Sequence, residues 1–223
     1  MHIADNYCLE FDETLRGRIK KVLFNRLIKY PVHFICQTDI QQKNLKRYGK
    51  QATVLPNILP IESVLCNKSN TEFKVLWVAN IRPVKQLREF LNIAKECENQ
   101  AEIEFIVIGR KDNISVEENS SLNILKNVIY FGELGQKEVL TNGRITCFDE
   151  YFSISEGFSN TFIQAWSRGI PVLSLNSDPN GLIEKYKVGF IANGSIKKVK
   201  ESLILLSTNS MLYKEYSKMY KPF

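Results

Sequence analysis

Two segments of this 223-residue chain carry groups that could bind a diphosphate and neutral hydroxyl groups together. The segment NIRPVK supplies a cation at Lys85, with Asn80 and Arg82 as further hydrogen-bond donors. The segment EGFSNT, from Glu156 to Thr161, comes directly before an amphipathic helical pattern. Backbone N–H groups on one side and a cationic side chain on the other suit a diphosphate. Because phosphate repels a carboxylate, Glu156 is better suited to accept hydrogen bonds from hydroxyl groups such as those of a sugar.

The helix after Glu156 is predicted from its cap, its apolar spacing and its end. Ser159 or Asn160 is a good N-cap, because a side-chain oxygen there accepts from N–H groups of the first turn. Gly169 is suited to the C′ position, and the run IPVLSL after it is typical of a parallel strand buried on both faces. Gln164 lies two turns after Glu156 and could reach further ligand hydroxyls. The apolar face of the helix is predicted to contain Phe162, Ile163, Ala165 and Trp166.

Each of these residues by itself also fits an ordinary structural role. Glu156 alone is compatible with an exposed acidic residue in a loop, and Lys85 alone with a residue at the start of a helix. Taken together, Glu156 and Lys85 are better explained by a shared ligand, because a parallel sheet brings their two loops to one crevice.

The composition excludes several classes of function. The formal charge is +6, yet the lysines and arginines are spread out, and no zinc finger, basic zipper or RNA-recognition strand is present, so no nucleic-acid partner is expected. Only two histidines occur, which argues against a histidine-dependent triad or a histidine-rich metal site. The five cysteines lie far apart without a C-x-x-C pair and are predicted to be reduced thiols: Cys8, Cys36, Cys66, Cys97 and Cys147.

No membrane-spanning or secretory segment is predicted. No apolar run approaches the roughly 20 residues of a transmembrane helix, and the start MHIADNYCLEFDE lacks a basic region followed by an apolar one. These features predict a cytoplasmic protein. Residues 15–30 have the pattern of a basic amphipathic helix. The positive charge of the chain is compatible with solvated helix faces or with peripheral contact to lipid head groups at the inner face of a membrane.

Strand and helix patterns alternate along the chain. Strands are predicted at residues 32–36, 52–55, 74–79, 103–108, 127–131, 170–175 and 188–191. Helices are predicted at 15–30, 38–48, 86–97 and 135–140, between Asn160 and Gly169, from about 181, at 196–206 and at 211–219. The segment 141–155 has neither pattern.

This alternation predicts an α/β fold, a Rossmann-like parallel sheet with helices on both faces. A polar, loop-like stretch at 59–70 marks a boundary between predicted domains at 1–60 and 71–223. Ligands of open parallel sheets bind outside the carboxyl ends of the strands. Three loops leave predicted strand ends, at 80–85, from Gly109 to Asn113 and at 155–160. We expect them to converge on one crevice, with Gly109 among the residues that contact the donor ligand.

Three segments resemble the family-4 retaining glycosyltransferases of GT-B fold. The stretch EGFSNTFIQAWSRGIPVLSL is similar to the family signature in which an E-x7-E pattern opens the donor-binding helix. The stretch VLWVANIRPVK resembles the first strand and loop of the family's C-terminal domain, usually V-G-R-L-x-P-x-K. The stretch FICQTDIQQKNLKRYGKQATVLPNILP resembles the end of the N-terminal domain and the crossing into the second. The resemblance covers residues 32–206.

The resemblance implies a role for each matching residue. Lys85 would bind the donor diphosphate and Glu156 the hydroxyls of the donor sugar, both acting by positioning and by electrostatic stabilisation of the leaving group. Two positions depart from the pattern: Asn80 replaces the family's arginine, with Arg82 as an alternative cation, and Gln164 replaces the second glutamate, expected on the ribose. The backbone N–H groups that would take sugar and phosphate are those of Gly157, Phe158, Ser159, Asn160 and Thr161.

The resemblance implies transfer of a sugar, with retention, from a nucleoside diphosphate sugar to a sugar or lipid-linked acceptor, in the synthesis of cell-surface polysaccharide or another glycan. The leaving phosphate would help to deprotonate the acceptor, so no general base is expected. No cofactor or metal is expected beyond the donor substrate.

A family member has two Rossmann-like domains of similar size, whereas about 60 residues precede the crossing here. Most of the first domain is therefore predicted to be missing, and the remnant is expected to self-associate or to dock to a partner. The alternative function is a degenerate nucleotide-binding module, or an inactive fragment, that binds without transfer.

Overall fold

The computed structural model describes residues 2–3, 11–30, 32–58, 73–82, 85–135, 144–149 and 158–217. Backbone contacts divide the chain into two compact units. The first unit contains residues 1–59 and 153–160, and the second contains residues 60–152 and 161–223. The assignment of an acceptor-side remnant at 1–60 and a nucleotide-sugar domain at 71–223 stays a prediction.

The first unit contains a three-stranded parallel sheet and two helices. The sheet has the order β1-β2-β3, with β1 at His2–Ile3, β2 at Phe34–Cys36 and β3 at Ala52–Val54. The helices are α1 at Leu15–Leu27 and α2 at Asp39–Arg47. Buried Phe24, Phe34, Cys36 and Leu45 form the core between them. Thr38 and Gln41 form a capping box at the start of α2, where the sequence predicts a helix from residue 38.

The second unit contains a six-stranded, wholly parallel sheet of order β6-β5-β4-β7-β8-β9. Its strands are β4 at Phe73–Val78, β5 at Ile103–Ile108, β6 at Val128–Gly132, β7 at Arg144–Asp149, β8 at Val172–Ser174 and β9 at Gly189–Ile191. Its helices are α3 at Leu87–Glu96, α4 at Val116–Ile124, α5 at Asn160–Trp166, α6 at Leu182–Tyr186, α7 at Ile196–Thr208 and α8 at Ser210–Tyr216, with a 3-10 turn at Pro179–Gly181 before α6. Helix α5 begins in the first unit, at Asn160, and continues in the second.

The apolar runs of the sequence form the middle of the larger sheet. Strands β4 and β5 pair in register, with Val75 opposite Phe105 and Trp77 opposite Val107, and these four side chains are buried. Consecutive residues of β5 and of β8 are buried, so both faces of the sheet are covered. The predicted α/β fold with a parallel sheet is confirmed.

The structure corrects the prediction at segment 141–155. Residues Arg144–Asp149 form β7, which pairs with β4 on one side and β8 on the other. A strand paired on both sides is stabilised by its neighbours, so its own weak pattern does not decide its conformation. Helix α4 was also not predicted, although Ser115 and Glu118 form the capping box that marks its start. The helix predicted at 135–140 falls almost wholly outside the described residues.

Candidate functional site

The strand order of the second unit defines where a ligand is expected. Strands β5 and β6 lie on one side of β4, and β7, β8 and β9 lie on the other, which is the order of a Rossmann sheet. In such sheets the ligand crevice lies outside the carboxyl ends of the two strands at which the order reverses, here β4 and β7. The chain leaves β4 after Val78 into the segment that carries Asn80, Arg82 and Lys85.

The loop after β4 is hydrogen-bonded to the loop after β5. The Ile81 N–H donates to the Arg110 carbonyl at 2.8 Å, and the Asn113 N–H donates to the Ile81 carbonyl at 3.1 Å. Ile81 itself is buried. The two loops therefore continue the β4–β5 pairing beyond the strands, which fixes the backbone around Asn80 and Arg82.

Lys85 lies at the end of this loop and next to the start of α3. Its N–H donates to the Arg82 carbonyl at 2.8 Å, and its carbonyl accepts from the Trp77 indole N–H at 3.3 Å. Gln86 follows with φ +47° as the N-cap of α3, and its side chain makes no capping bond. The N-terminal dipole of α3 adds positive potential beside the Lys85 cation. Arg82 is exposed, whereas Asn80 and Lys85 are partly buried.

Gly109 ends β5 and lets the two loops approach each other. A Cβ built on Gly109 would lie 1.7 Å from the Ala79 carbonyl oxygen, and its φ is +144°. Its N–H donates to the Gly132 carbonyl at 2.8 Å, and its carbonyl accepts from the Tyr130 hydroxyl at 2.9 Å. Only glycine fits here. Its predicted contact with a donor stays a prediction.

The loop after β5 adds charges that the sequence interpretation did not select. The Lys111 ammonium lies 4.3 Å from the centre of the Tyr130 ring and donates to the Asn119 side-chain oxygen at 2.9 Å. Arg110 pairs with Asp112 at 3.6 Å. The run GRKD directly after an apolar strand was the available signal. Of these two residues, Arg110 is the one whose backbone carbonyl bonds directly to Ile81.

The part of α5 in the second unit, from Thr161, has the predicted apolar face. Phe162, Ile163, Ala165 and Trp166 are buried, and the Trp166 indole N–H donates to the Val188 carbonyl at 3.1 Å. Thr161 and Gln164 are partly buried. Gly169 adopts φ +65°, as expected for the residue that ends the helix.

Residues Phe158, Ser159 and Asn160 belong to the first unit. Phe158 and Ser159 are buried, and Asn160 is exposed. Because α5 begins at Asn160, Ser159 occupies the N-cap position. Hydrogen bonds join this segment to Gln37 and Asn57, two residues that the sequence interpretation did not select.

Two predicted site residues, Glu156 and Gly157, lie outside the described residues. Their roles stay predictions, and so does the convergence of the three loops on one crevice. Among the predicted site residues, the structure joins Asn80, Arg82 and Gly109 through the bonded loops after β4 and β5, with Lys85 at the end of the first loop.

Burial raises the pKa of several groups, among them one carboxyl and two thiols. Burial raises the pKa of Asp178, whose carboxylate accepts from the N–H groups of Ile183 and Glu184 at 2.8 and 3.3 Å and so caps α6. Burial also raises the pKa of the Cys36 and Cys97 thiols, which are unpaired by disulfides. Neither thiol is thereby activated as a thiolate nucleophile.

Within the described ranges, no group of three His, Cys, Asp or Glu residues could hold a metal ion. Of the helices described, none is both long and apolar enough to cross a bilayer.

The chain is similar in fold to solved glycosyltransferase structures. It aligns with TarM of S. aureus, solved with fondaparinux, alpha-GlcNAc-glycerol and UDP, at a TM-score of 0.78 and 18% identity over 97% of this chain and 45% of that one. Anabaena HepE in complex with UDP-glucose aligns at 0.76 and 15%, over 98% and 65%. WaaG, described as a glycosyltransferase involved in lipopolysaccharide biosynthesis, aligns at 0.73 and 15%, over 92% and 62%.

The chain thus spans between 45% and 65% of the length of these three proteins. No curated protein sequence matches it. The family model described as glycosyl transferases group 1 matches residues 66–221, which include all six strands of the larger sheet. The chain belongs to the group 1 glycosyl transferases.

Proposed function

We propose that the chain binds a nucleoside diphosphate sugar and takes part in transferring the sugar, with retention, as a family-4 enzyme. The observation that carries this proposal is the group 1 match over residues 66–221, on a sheet of Rossmann order. The loop after β4, where such sheets bind nucleotides, ends in the cation Lys85 at the start of α3.

The chemistry assigned to this chain is electrostatic. Lys85 and Arg82 stabilise the diphosphate as it leaves, Asn80 donates a further hydrogen bond, and Gly109 lets the backbone approach the donor. Glu156 accepts from hydroxyls of the donor sugar, and Gln164 hydrogen-bonds the ribose. The leaving phosphate itself takes the acceptor proton, so no residue is assigned as a general base, and neither a metal nor a cofactor is proposed.

The donor and the acceptor are proposed by class. TarM and HepE were solved with UDP and UDP-glucose, which favours a UDP-linked donor for this chain. The lipopolysaccharide role of WaaG favours a sugar or lipid-linked acceptor in the synthesis of a cell-surface glycan. We place this protein in the cytoplasm, at the inner face of a membrane.

Calorimetry with UDP, GDP and UDP-glucose tests the donor site. Lys85→Ala should weaken UDP binding by about 1.5–3 kcal/mol, the usual range for a hydrogen bond to a charged group. The matched control is Lys95→Ala, an exposed lysine in the last turn of α3, about 12 Å along the helix axis from the start of that helix at Leu87. That control should bind within twofold of the unaltered chain. Absence of binding by every nucleoside diphosphate at millimolar concentration would contradict the proposal.

The second candidate function is a nucleotide-binding module without transfer. Asn80 and Gln164 stand where the family pattern has arginine and glutamate, so the site lacks two charges used for the leaving group and the ribose. This candidate predicts that UDP-glucose binds and stabilises the fold but is neither hydrolysed nor transferred. A radiolabelled transfer assay with cell-envelope acceptors separates the two, because transfer would exclude the binding module.

Helix α1 has the composition of a membrane-surface helix. Its side chains Leu15, Ile19, Val22 and Leu23 are exposed, while Phe24 packs inward. The helix LRGRIKKVLFNRL has five basic residues and no acidic one. Apolar side chains flanked by cations are typical of helices that lie on anionic lipid. Two copies of α1 would repel each other, so we propose lipid contact as the main use of this face and self-association as the lesser one.

Vesicle flotation tests this contact. The chain should bind phosphatidylglycerol vesicles more than tenfold better than phosphatidylcholine vesicles, and Leu23→Glu should remove most of the binding. The control is Val116→Glu, which changes an exposed apolar residue on α4 and should have no effect. Equal binding to both lipids would contradict the lipid proposal. Concentration-dependent dimers that Leu23→Glu dissociates, together with equal binding to both lipids, would make self-association the main use of this face.

A further inference from the structure

The backbone of Phe158 is held on both sides by side-chain amides from distant parts of the first unit. The Phe158 N–H donates to the Gln37 Oε1 at 3.0 Å, and the Phe158 carbonyl accepts from the Asn57 Nδ2 at 3.1 Å. Phe158 and Gln37 are each 4% exposed. The N–H and carbonyl of a buried residue usually bond to other backbone groups, whereas those of Phe158 bond to two side chains.

The two amides are also bonded to each other and to the start of α5. The Gln37 Nε2 donates to the Asn57 Oδ1, and the Asn57 Nδ2 also donates to the Asn160 Oδ1 at 2.8 Å. All four polar side-chain atoms of Gln37 and Asn57 are therefore engaged. Since each amide uses both its donor and its acceptor, neither can flip without losing a bond.

Gln37 and Asn57 are held in place by hydrogen bonds at the ends of the strands that precede them. Gln37 directly follows β2, and its N–H donates to the fully buried Gln41 side chain at 2.7 Å. Asn57 follows β3, and the Leu55 N–H donates to the Cys36 carbonyl at 2.7 Å, which extends the β2–β3 pairing toward it. Both side chains thus project from the carboxyl ends of paired strands, which gives them little freedom to move.

We propose that Gln37 and Asn57 are positioning residues for the reaction, which set the backbone of the segment 158–160. The inference rests on the proposed function, in which this segment contacts the diphosphate and sugar of the donor. Bonds to both the N–H and the carbonyl of Phe158 fix the orientation of that residue's backbone. The polar atoms of both amides are engaged by Phe158, Asn160 and each other, and an amide carries no charge, so the role assigned to them is geometric.

The test compares Asn57→Asp with the unaltered chain. The carboxylate keeps the size of the amide and still accepts from Gln37, but it cannot donate to Phe158 or Asn160 and repels both oxygens. Gln37→Met is the second variant, because it keeps the length of the side chain and removes both bonds. The control is Gln42→Met, since the Gln42 Nε2 donates to the Ala52 carbonyl at 2.8 Å in the same unit without contacting segment 158–160.

Binding of UDP-glucose and of uridine is measured for each variant, by calorimetry and by NMR titration. The segment is proposed to contact only the diphosphate and sugar, so the uncharged variant Gln37→Met, like Asn57→Asp, should weaken UDP-glucose at least tenfold and uridine less than twofold. Because Gln37→Met adds no charge, its loss cannot come from repulsion of the diphosphate. A merely structural role would weaken both ligands equally. Amide hydrogen exchange gives a second readout: the Phe158 N–H should exchange slowly in the unaltered chain and in Gln42→Met, and fast in Gln37→Met.

The possible outcomes separate the positioning role of Gln37 and Asn57 from the proposed function of the chain. UDP-glucose binding within twofold of the unaltered chain in both variants overturns the positioning role and leaves the proposed function intact. Equal losses for UDP-glucose and uridine also overturn it. If Asn57→Asp does not fold, Gln37→Met decides by the same criteria. If the unaltered chain binds neither UDP-glucose nor any other nucleotide sugar, the proposed function falls, and this inference falls with it.

Discussion

The loop after β4 and the segment 158–160 are held in place by different kinds of hydrogen bond. Around Ile81 the bonds join backbone to backbone, and their partner, Arg110, lies in the loop of the neighbouring strand. At Phe158 the bonds come from the amide side chains of Gln37 and Asn57. A backbone ladder tolerates changes of side chain as long as the strands pair. The amide bonds of Gln37 and Asn57 to Phe158, here called the side-chain clamp, depend on those two particular residues. Single substitutions should therefore affect the two regions very differently.

The largest effect is expected at Gly109, where the bonded backbones leave no room for a side chain. Gly109→Ala should destabilise the second unit by about 3–5 kcal/mol, because the added Cβ would overlap the Ala79 carbonyl oxygen. Urea unfolding measures the change. The matched control is Gly49→Ala, at φ +67° with nothing within 4 Å of the new Cβ, which should cost only about 1–2 kcal/mol. Equal costs at the two positions would show that the loops have room to separate.

The base of the side-chain clamp should be the next most sensitive point. Gln41→Ala should cost about 2–4 kcal/mol, because the buried N–H groups of Gln37 and Thr38 both lose the Gln41 oxygen as their acceptor. The comparison is Gln42→Ala, which removes one partly buried bond and should cost about 1 kcal/mol. If Gln41→Ala cost no more than Gln42→Ala in urea unfolding, water would be replacing the lost acceptor and the clamp would have no rigid base.

The smallest effect concerns a third loop, after β8, which is held by a carboxylate and therefore titrates. Burial raises the pKa of Asp178 in the folded protein above its ordinary 3.8, so folding favours the protonated form. Its stabilising effect is fully present below 3.8 and is lost as pH rises through the folded pKa. The stability of the unaltered chain relative to Asp178→Asn should accordingly increase as pH falls from 7 to 3.5. A relative stability that decreases over that range would reverse the sign and contradict the burial effect.

Much of the fold was predictable because it depends on local patterns. The runs KVLWVA and IEFIVI are apolar at consecutive positions, which a strand buried on both faces requires, and they form β4 and β5. The capping residue Thr38 and the terminating Gly169 act within one helical turn, so the sequence around them is sufficient. The grouping of Asn80, Arg82 and Lys85 was predictable for the same reason, since one short loop carries all three.

By itself, the sequence determined that this chain has alternating strands and helices, and which of its loops carry a cation and a carboxylate. Only the tertiary structure decided that Arg144–Asp149 is a strand, because its pairing with β4 and β8 comes from residues far away in the chain. Only the tertiary structure revealed the use of Gln37 and Asn57. An amide side chain carries no periodicity that predicts its partner, and the partner here lies more than 100 residues away.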